Sequence, residues 1–163
     1  MPTLFCTAKL SKLFGVRVRY DSVSMDNWNG HLFSLEKRKC IVVVHKETFY
    51  SVVLFDVLKG DLGNFDQMFL DNYLEQLKND GLLTDAIQRK ALKEFPKWNI
   101  SVTDDDKSAI GYINDCIKRL TWPFGGDTPT ITGTKEYVKK YYNENLIGSR
   151  GYVSPIELMR SKL

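Results

Sequence analysis

The sequence lacks the features that mark membrane, secreted and zinc-stapled proteins. No apolar run approaches the about 18 residues of a membrane span, so we expect no contact with a membrane. The first residues carry neither the basic head nor the long apolar stretch of a signal peptide, which predicts a cytoplasmic protein. The three cysteines, at Cys6, Cys40 and Cys116, include no Cys-x-x-Cys pair. This spacing argues against structural zinc and favours buried thiols in a reducing compartment.

Motifs of catalysis and nucleotide binding are also missing. With only two histidines, His31 and His45, we expect no imidazole metal site. No Gly-x-Ser-x-Gly elbow is present, and the glycines at 125–126 lack the Lys-Ser/Thr of a phosphate loop. The Gly-Phe-Gly-Phe core of the RNA-recognition octamer is absent. We therefore predict no catalytic residue, metal ion or cofactor, and expect a binding protein rather than an enzyme.

Hydrophobic periodicity predicts an α+β fold. The chain has 163 residues, of which 43% are hydrophobic and 26% charged, as in an ordinary globular domain. Apolar alternation and apolar runs predict strands at residues 4–6, 16–20, 32–35, 40–45, 49–55 and 98–102, with a loop at 21–30. Helical spacing predicts four helices within residues 7–121, with Thr84 as the N-cap of the third, and Ser154 is the predicted N-cap of a later helix. We expect an antiparallel sheet of four or five strands, with helices packed on one face.

The end of the chain has a different composition from the rest. Proline and glycine interrupt residues 123–133, and helical signals resume beyond them. These signals predict a core domain at 1–122, a loop at 123–133 and a helical extension at 134–163. The aromatic and Met residues of the extension suit self-association or contact with a protein partner. The alternative is that they complete the monomer's core. The candidate contact residues are Tyr137, Tyr141, Tyr142, Tyr152 and Met159.

Basic residues are concentrated in the first third of the chain. Residues 1–60 carry nine Lys and Arg against five Asp and Glu. Basic groups interleaved with aromatic rings can bind phosphates and stack on single-stranded bases, and the alternative is a solvated charged face. The candidate nucleic-acid contacts lie on or beside the predicted sheet and are Arg17, Arg19, Lys37, Arg38, Lys39 and Trp28.

An acidic segment supports a rival interpretation. Asp104, Asp105, Asp106 and Asp115 do not fit a calcium-binding EF-hand loop, because Ala109 stands where that loop requires glycine. Their carboxylates are nevertheless suitable magnesium ligands, as in nucleases that clamp a phosphate between metals. The alternative is that they cap a helix. We keep a small metal-dependent nuclease as the second functional hypothesis.

Four segments resemble a small domain family of bacteria, plasmids and phages, known as a domain of unknown function. Residues 4–10 (LFCTAKL) are similar to its opening "hCTKKLL", and 26–32 (DNWNGHL) to its "W-x-A-N-L" segment. Residues 38–48 (RKCIVVVHKET) resemble its strand "RRxxLLFVNExT", and 108–115 (SAIGYIND) its helix "SVLGSMND". The resemblance covers residues 1–122. It implies a cytoplasmic protein of bacterial or phage type, with defence, counter-defence or toxin–antitoxin systems as candidate settings.

Overall fold

A five-stranded mixed sheet forms the centre of the protein in a computed structural model that describes residues 1–21, 26–121 and 128–163. The strands are β1 (Thr3–Cys6), β2 (Asn27–Leu35), β3 (Arg38–His45), β4 (Ser51–Leu54) and β5 (Asn99–Val102), in the order β4-β3-β2-β1-β5. β2, β3 and β4 pair antiparallel, but β1 is parallel to both β2 and β5. The prediction of an antiparallel sheet is therefore wrong at β1, where helical crossovers carry the chain back before the next parallel strand.

Six α-helices surround the sheet in the described part of the chain. They are α1 (Ala8–Phe14), α2 (Phe65–Asn79), α3 (Asp85–Glu94), α4 (Lys107–Thr121), α5 (Ile131–Lys140) and α6 (Pro155–Lys162). The Thr84 hydroxyl accepts the backbone N–H of Ile87 at the start of α3, and Ser154 accepts that of Glu157 at the start of α6. These are the caps that the sequence predicts. Within the described ranges, no helix is long and apolar enough to cross a membrane.

The helices cover both faces of the sheet. On β3, Ile41 and Val43 join one hydrophobic cluster while Val42 and Val44 join another, because alternate strand residues point to opposite sides. The first cluster includes residues of α1, α2, α3 and α6, and we call this side the aromatic face. The second includes residues of α4 and α5, and we call it the α4 face. The prediction of helices on one face is wrong, since the continuous apolar run of β3 requires cover on both sides.

Two segments, one before β2 and one at its start, differ from their predicted structure. Residues 16–20 form no strand but lie along the outer edge of β5, where the N–H of Val102 donates to the carbonyl of Val18 at 3.2 Å. Residues 27–30 were expected in a loop and instead begin β2, with Trp28 fully buried. Gly30 permits this arrangement, because a Cβ atom there would lie 2.8 Å from Cδ2 of Leu10.

The C-terminal segment packs against the rest of the chain. Residues 123–127 of the predicted loop lie outside the described residues, and α5 begins at Ile131, before the predicted boundary at 134. Val138 and Tyr142 contribute to the cluster of the α4 face, whereas Ile156 and Met159 contribute to that of the aromatic face. The extension therefore docks on its own core, as the alternative interpretation of these residues expected.

Candidate functional site

The predicted basic residues lie in two separate places. Arg17 and Arg19 are exposed beside the end of β5, where Arg19 donates to the carbonyl of Asp104 at 3.3 Å. The β2–β3 turn holds exposed Lys37, Arg38 and Lys39 and lies at least five residues further along β2, which corresponds to about 17 Å. The structure does not join the two groups into one patch, and nucleic-acid contact by either stays a prediction.

Trp28 is not available as a stacking platform. Its side chain is fully buried in the cluster of the aromatic face, 5.2 Å from the ring of Phe69 and 5.7 Å from that of Tyr73 between centroids. The prediction that Trp28 stacks on bases is therefore wrong. A tryptophan followed by polar residues looks accessible in the sequence, but β2 directs this one into the core.

The predicted contact residues of the tail divide into buried and exposed groups. Tyr142 and Met159 are buried in the core, so their assignment to a partner interface is wrong for this structure. Tyr137 is half-buried, with its ring 6.0 Å from that of Tyr142. Tyr141 and Tyr152 are exposed, and contact with a partner through them stays a prediction.

The four aspartates of the nuclease hypothesis are not brought together. The Lys46 ammonium contacts the carboxylates of Asp104 and Asp106, the latter at 3.2 Å. Asp106 also caps α4 by accepting the N–H of Ala109 at 3.1 Å. Burial acts to raise the pKa of Asp106, but these hydrogen bonds hold it below its usual value. Asp115 lies nine residues further along the helix, about 13 Å away.

The Lys46 ammonium therefore occupies the position at which the nuclease hypothesis would place a metal ion. The described part of the chain contains no group of three or more His, Cys, Asp or Glu side chains suited to hold a metal ion. The geometry gives the nuclease hypothesis no support.

An open groove of about 780 Å³ runs along the exposed side of α4. On the helix it is lined chiefly by Lys107, Gly111, Asp115, Lys118 and Arg119, and residues 145–149 also line it. A Cβ atom at Gly111 would meet nothing within 4 Å, so the middle of the groove is unobstructed. The groove thus combines an open centre with cations near both ends of the helix.

A series of stacked cations and aromatic rings lies behind the groove wall. The Arg150 guanidinium lies 4.6 Å from the ring centroid of Phe49, which stacks on Tyr112 at 4.3 Å and 10°. The Arg119 guanidinium is 5.6 Å from the ring centroid of Tyr112 and 4.9 Å from that of Tyr142. Phe49 adopts a φ of 57°, which is costly for a bulky residue, and the stacking helps to stabilise this conformation.

Arg119 is a half-buried cation with neutral partners. Its Nη2 donates to the Tyr112 hydroxyl at 3.4 Å and to the Cys116 thiol at 3.6 Å. Burial acts to lower the pKa of its guanidinium, but the hydroxyl and thiol groups around it raise that pKa above its usual value. Burial also raises the pKa of the Cys116 thiol and of the Tyr112 phenol, so both groups are uncharged.

No carboxylate among the described residues forms an ion pair with Arg119. Placing a cation in a partly desolvated position costs free energy unless an anion compensates it. The planar guanidinium is suited to carboxylate or phosphate oxygens. The groove can therefore take the anionic group of a ligand at this point.

The sequence contained one signal of this site. The residues of α4 at which the chain agrees with the pattern "SVLGSMND" are Ser108, Gly111, Asn114 and Asp115, and all four are exposed. No sequence motif includes the cations of the site, which are Lys107, Lys118, Arg119 and Arg150. They were missed because their neighbourhood depends on distant parts of the chain.

The comparisons with known proteins identify a family and no closer relative. Residues 3–158 match the family described as Domain of unknown function (DUF6933). No curated protein and no solved structure matches the chain. The matched region extends past residue 122 and includes all of α5 and the first half of α6, so the segment that docks on the core lies mostly within the family domain.

Proposed function

We propose that this chain, which belongs to the DUF6933 family of domains, is a non-enzymatic binding protein that holds single-stranded nucleic acid in the groove along α4. The observation that carries the proposal is the half-buried Arg119 guanidinium, whose partners among the described residues are all neutral. A phosphate oxygen at this position would form a charge-assisted hydrogen bond in a partly desolvated wall, where such bonds are strongest.

The spacing of the cations favours an extended anion over a small one. Lys107 and Lys118 are eleven residues apart on α4, which corresponds to three turns and about 16 Å. A single small anion cannot reach both ammonium groups. A strand that carries a phosphate on every nucleotide can contact both and release counterions at each.

The remaining groups of the groove suit the bases of such a strand. Leu146, 65% exposed, and the edge of Tyr112 provide apolar surface at the wall, as in proteins that bind single strands without base pairing. Asp115 repels phosphate but accepts hydrogen bonds from base amino groups. We therefore place bases, and not the phosphate backbone, beside Asp115.

The cysteines support a cytoplasmic, non-enzymatic role. All three are free and buried, and burial raises the pKa of the Cys6 thiol to about 12. Thiols in this state suit a reducing compartment and supply no thiolate nucleophile at neutral pH. The bacterial or phage origin, and a defence, counter-defence or toxin–antitoxin setting, are part of the proposal and rest on the family resemblance.

The test compares two variants that each lose two positive charges. The affinity of a fluorescent oligo-dT strand is measured by anisotropy over a range of salt concentrations. Lys107→Gln with Lys118→Gln removes the cations of the groove, and Lys37→Gln with Lys39→Gln removes those of the β2–β3 turn. We expect the first pair to weaken binding and to reduce the salt slope by about 1.4, since each phosphate contact contributes about 0.7 for single strands.

The control pair should bind like the wild type, with the same salt slope. Loss of affinity in the control pair alone would instead place the ligand on the basic turn and contradict the groove. Absence of any salt-dependent binding by the wild type at about 50 mM salt would overturn the proposed function altogether.

A further inference from the structure

The groove along α4 contains a carboxylate as well as cations. Asp115 is exposed, and it is the single acidic side chain among the described residues that line the groove. On the helix it lies eight residues after Lys107 and three before Lys118. These separations correspond to about 12 Å and about 4.5 Å along the helix axis. The carboxylate therefore lies between the two cations that are proposed to contact phosphates.

This carboxylate has no hydrogen-bond or ion-pair partner in the described part of the chain. Lys118 and Arg119 follow Asp115 by three and four residues, the spacings at which ion pairs form on a helix, but neither pair is made. The Arg119 guanidinium instead donates to Tyr112 and Cys116. Both carboxylate oxygens can therefore accept hydrogen bonds from a ligand.

The bases of a single strand differ in what they offer to a carboxylate. Guanine carries two adjacent donors, N1–H and N2–H, on its Watson–Crick edge, which is accessible when the base is unpaired. These N–H groups can reach both oxygens of one carboxylate, as the parallel N–H groups of a guanidinium do. Adenine and cytosine offer one amino group beside a ring nitrogen that accepts, and thymine offers one N–H between two carbonyl oxygens. Because neighbouring acceptors repel a carboxylate, only guanine forms the paired contact.

The groove has room and apolar surface for the ring of such a base. Gly111 lies one turn before Asp115, and a Cβ atom there would meet nothing within 4 Å, so the helix surface beside the carboxylate is open. Leu146, 65% exposed, lines the same groove. A purine ring covers more apolar surface than a pyrimidine ring and gains more free energy by doing so.

We propose that Asp115 makes the groove selective for guanine, which binds through N1–H and N2–H to the two carboxylate oxygens. Because this selectivity requires a single strand in the groove, it rests on the proposed function. The cations determine how tightly a strand is held, and Asp115 determines which base lies at this point. One bidentate contact of this kind gives a discrimination of about tenfold, equivalent to about 1.4 kcal/mol.

The test compares three fluorescent strands of equal length by anisotropy with the full chain: oligo-dT, and oligo-dT with isolated dG or isolated deoxyinosine residues. The wild type should bind the dG strand about tenfold more tightly than oligo-dT. Deoxyinosine keeps N1–H and the purine ring but lacks the N2 amino group, so the deoxyinosine strand should lose most of this gain. The comparison of these two strands separates the hydrogen bonds from the stacking of the ring.

Asp115→Asn tests the assigned residue, since the amide keeps the shape of the side chain but presents one acceptor and one donor. The variant should bind the dG and deoxyinosine strands equally. Its affinity for oligo-dT should not fall, because the substitution removes a charge that repels phosphates. Asp105→Asn, the same change at an exposed position outside the groove, is the matched control and should retain the wild-type preference.

The outcomes separate this selectivity from the proposed function. Salt-dependent binding of oligo-dT without a preference for dG over deoxyinosine would overturn the selectivity and leave the proposed function intact. A preference that persists in Asp115→Asn would overturn the assignment to this residue. Absence of binding to every strand at about 50 mM salt would overturn both proposals. The comparison of dG with deoxyinosine uses the wild type, so it decides the selectivity even if Asp115→Asn fails to fold.

Discussion

The two faces of the sheet use aromatic residues in different ways. On the aromatic face, Trp28 is surrounded edge-to-face by Phe69, Tyr73, Phe95 and Trp98, with ring centroids 5.2 to 6.2 Å away. On the α4 face, the guanidinium groups of Arg119 and Arg150 lie against the rings instead. Rings packed on rings stabilise a fold by burying apolar area, whereas rings packed on cations hold charge at a surface.

This difference separates the stabilising part of the molecule from the part proposed to bind a ligand. A substitution in the centre of the aromatic face should change stability and leave the chemistry of the groove intact. A substitution among the cations of the α4 face should change ligand affinity more than stability.

Phe69→Ala should cause the largest loss of stability. Phe69 is fully buried and its ring contacts Trp28, Tyr73, Phe95 and Trp98. Truncation removes this buried area and leaves a cavity, so we expect a loss of about 3–5 kcal/mol in the free energy of unfolding, measured by urea denaturation. Phe69→Leu should lose much less. A loss below about 1 kcal/mol for the alanine variant would show that the cluster is not the main source of stability.

Asn143→Ala should cause the next largest loss, because Asn143 fixes the tail to the sheet edge. Its amide accepts the N–H of Ser51 at 2.9 Å and donates to the carbonyl of Ser51 at 3.0 Å and to Asp80 at 3.2 Å. Removal leaves buried backbone groups of β4 without partners, which costs about 2–3 kcal/mol. Asn145→Ala, which removes hydrogen bonds only within the tail, is the control. Equal losses of stability in the two variants would contradict the role of Asn143 in fixing the tail to β4.

Much of the fold could be predicted from local patterns, and the failures have physical causes. The apolar run of β3 and the caps of α3 and α6 depend on neighbouring residues and were predicted correctly. The parallel direction of β1 was not predicted, because parallel pairing depends on the crossover that follows the strand. The start of β2 was missed because its polar residues conceal a buried Trp28 and a glycine packed against Leu10.

The candidate site was even less accessible to prediction. Arg119 occupies the end of α4, where a cation also complements the helix dipole, and nothing local distinguishes the two roles. Its environment is created by Tyr142 of the tail and, through Tyr112, by Phe49 of the segment before β4. These contacts join parts of the chain that no sequence window contains.

Acidification should affect Asp106 and Asp80 in opposite directions. Backbone N–H groups and Lys46 outweigh burial and lower the pKa of Asp106 in the folded protein, so its contribution is lost as the pH falls from 3.8 through the folded pKa. Burial raises the pKa of Asp80, so its ionisation destabilises the fold as the pH rises from 3.8 through the folded pKa.

Thermal melts at a series of pH values distinguish the two carboxylates. Asp106→Asn should reduce the loss of stability in acid, whereas Asp80→Asn should reduce the loss between acid and neutral pH. If both variants shifted the pH profile in the same direction, the contrast between the two sites would be wrong.

Tyr141→Ser with Tyr152→Ser should have the smallest effect on stability. Both side chains are exposed, at 57% and 74%, so the change in unfolding free energy should stay within about 0.5 kcal/mol for each substitution. The same variant tests the predicted self-association of the tail by sedimentation velocity. A wild-type dimer that the variant converts to a monomer would confirm that association, and an identical sedimentation profile for both proteins would contradict it.

The most direct test of the division between the two faces is the affinity of Arg119→Gln for oligo-dT at low salt, measured together with its melting temperature. We expect at least about tenfold weaker binding, equivalent to about 1.4 kcal/mol, with a smaller change in stability. Arg119→Lys should retain part of the affinity, because an ammonium keeps the charge but loses the planar fork. Unchanged affinity with a strongly lowered melting temperature would show that Arg119 is a structural residue and would contradict its proposed role in ligand binding.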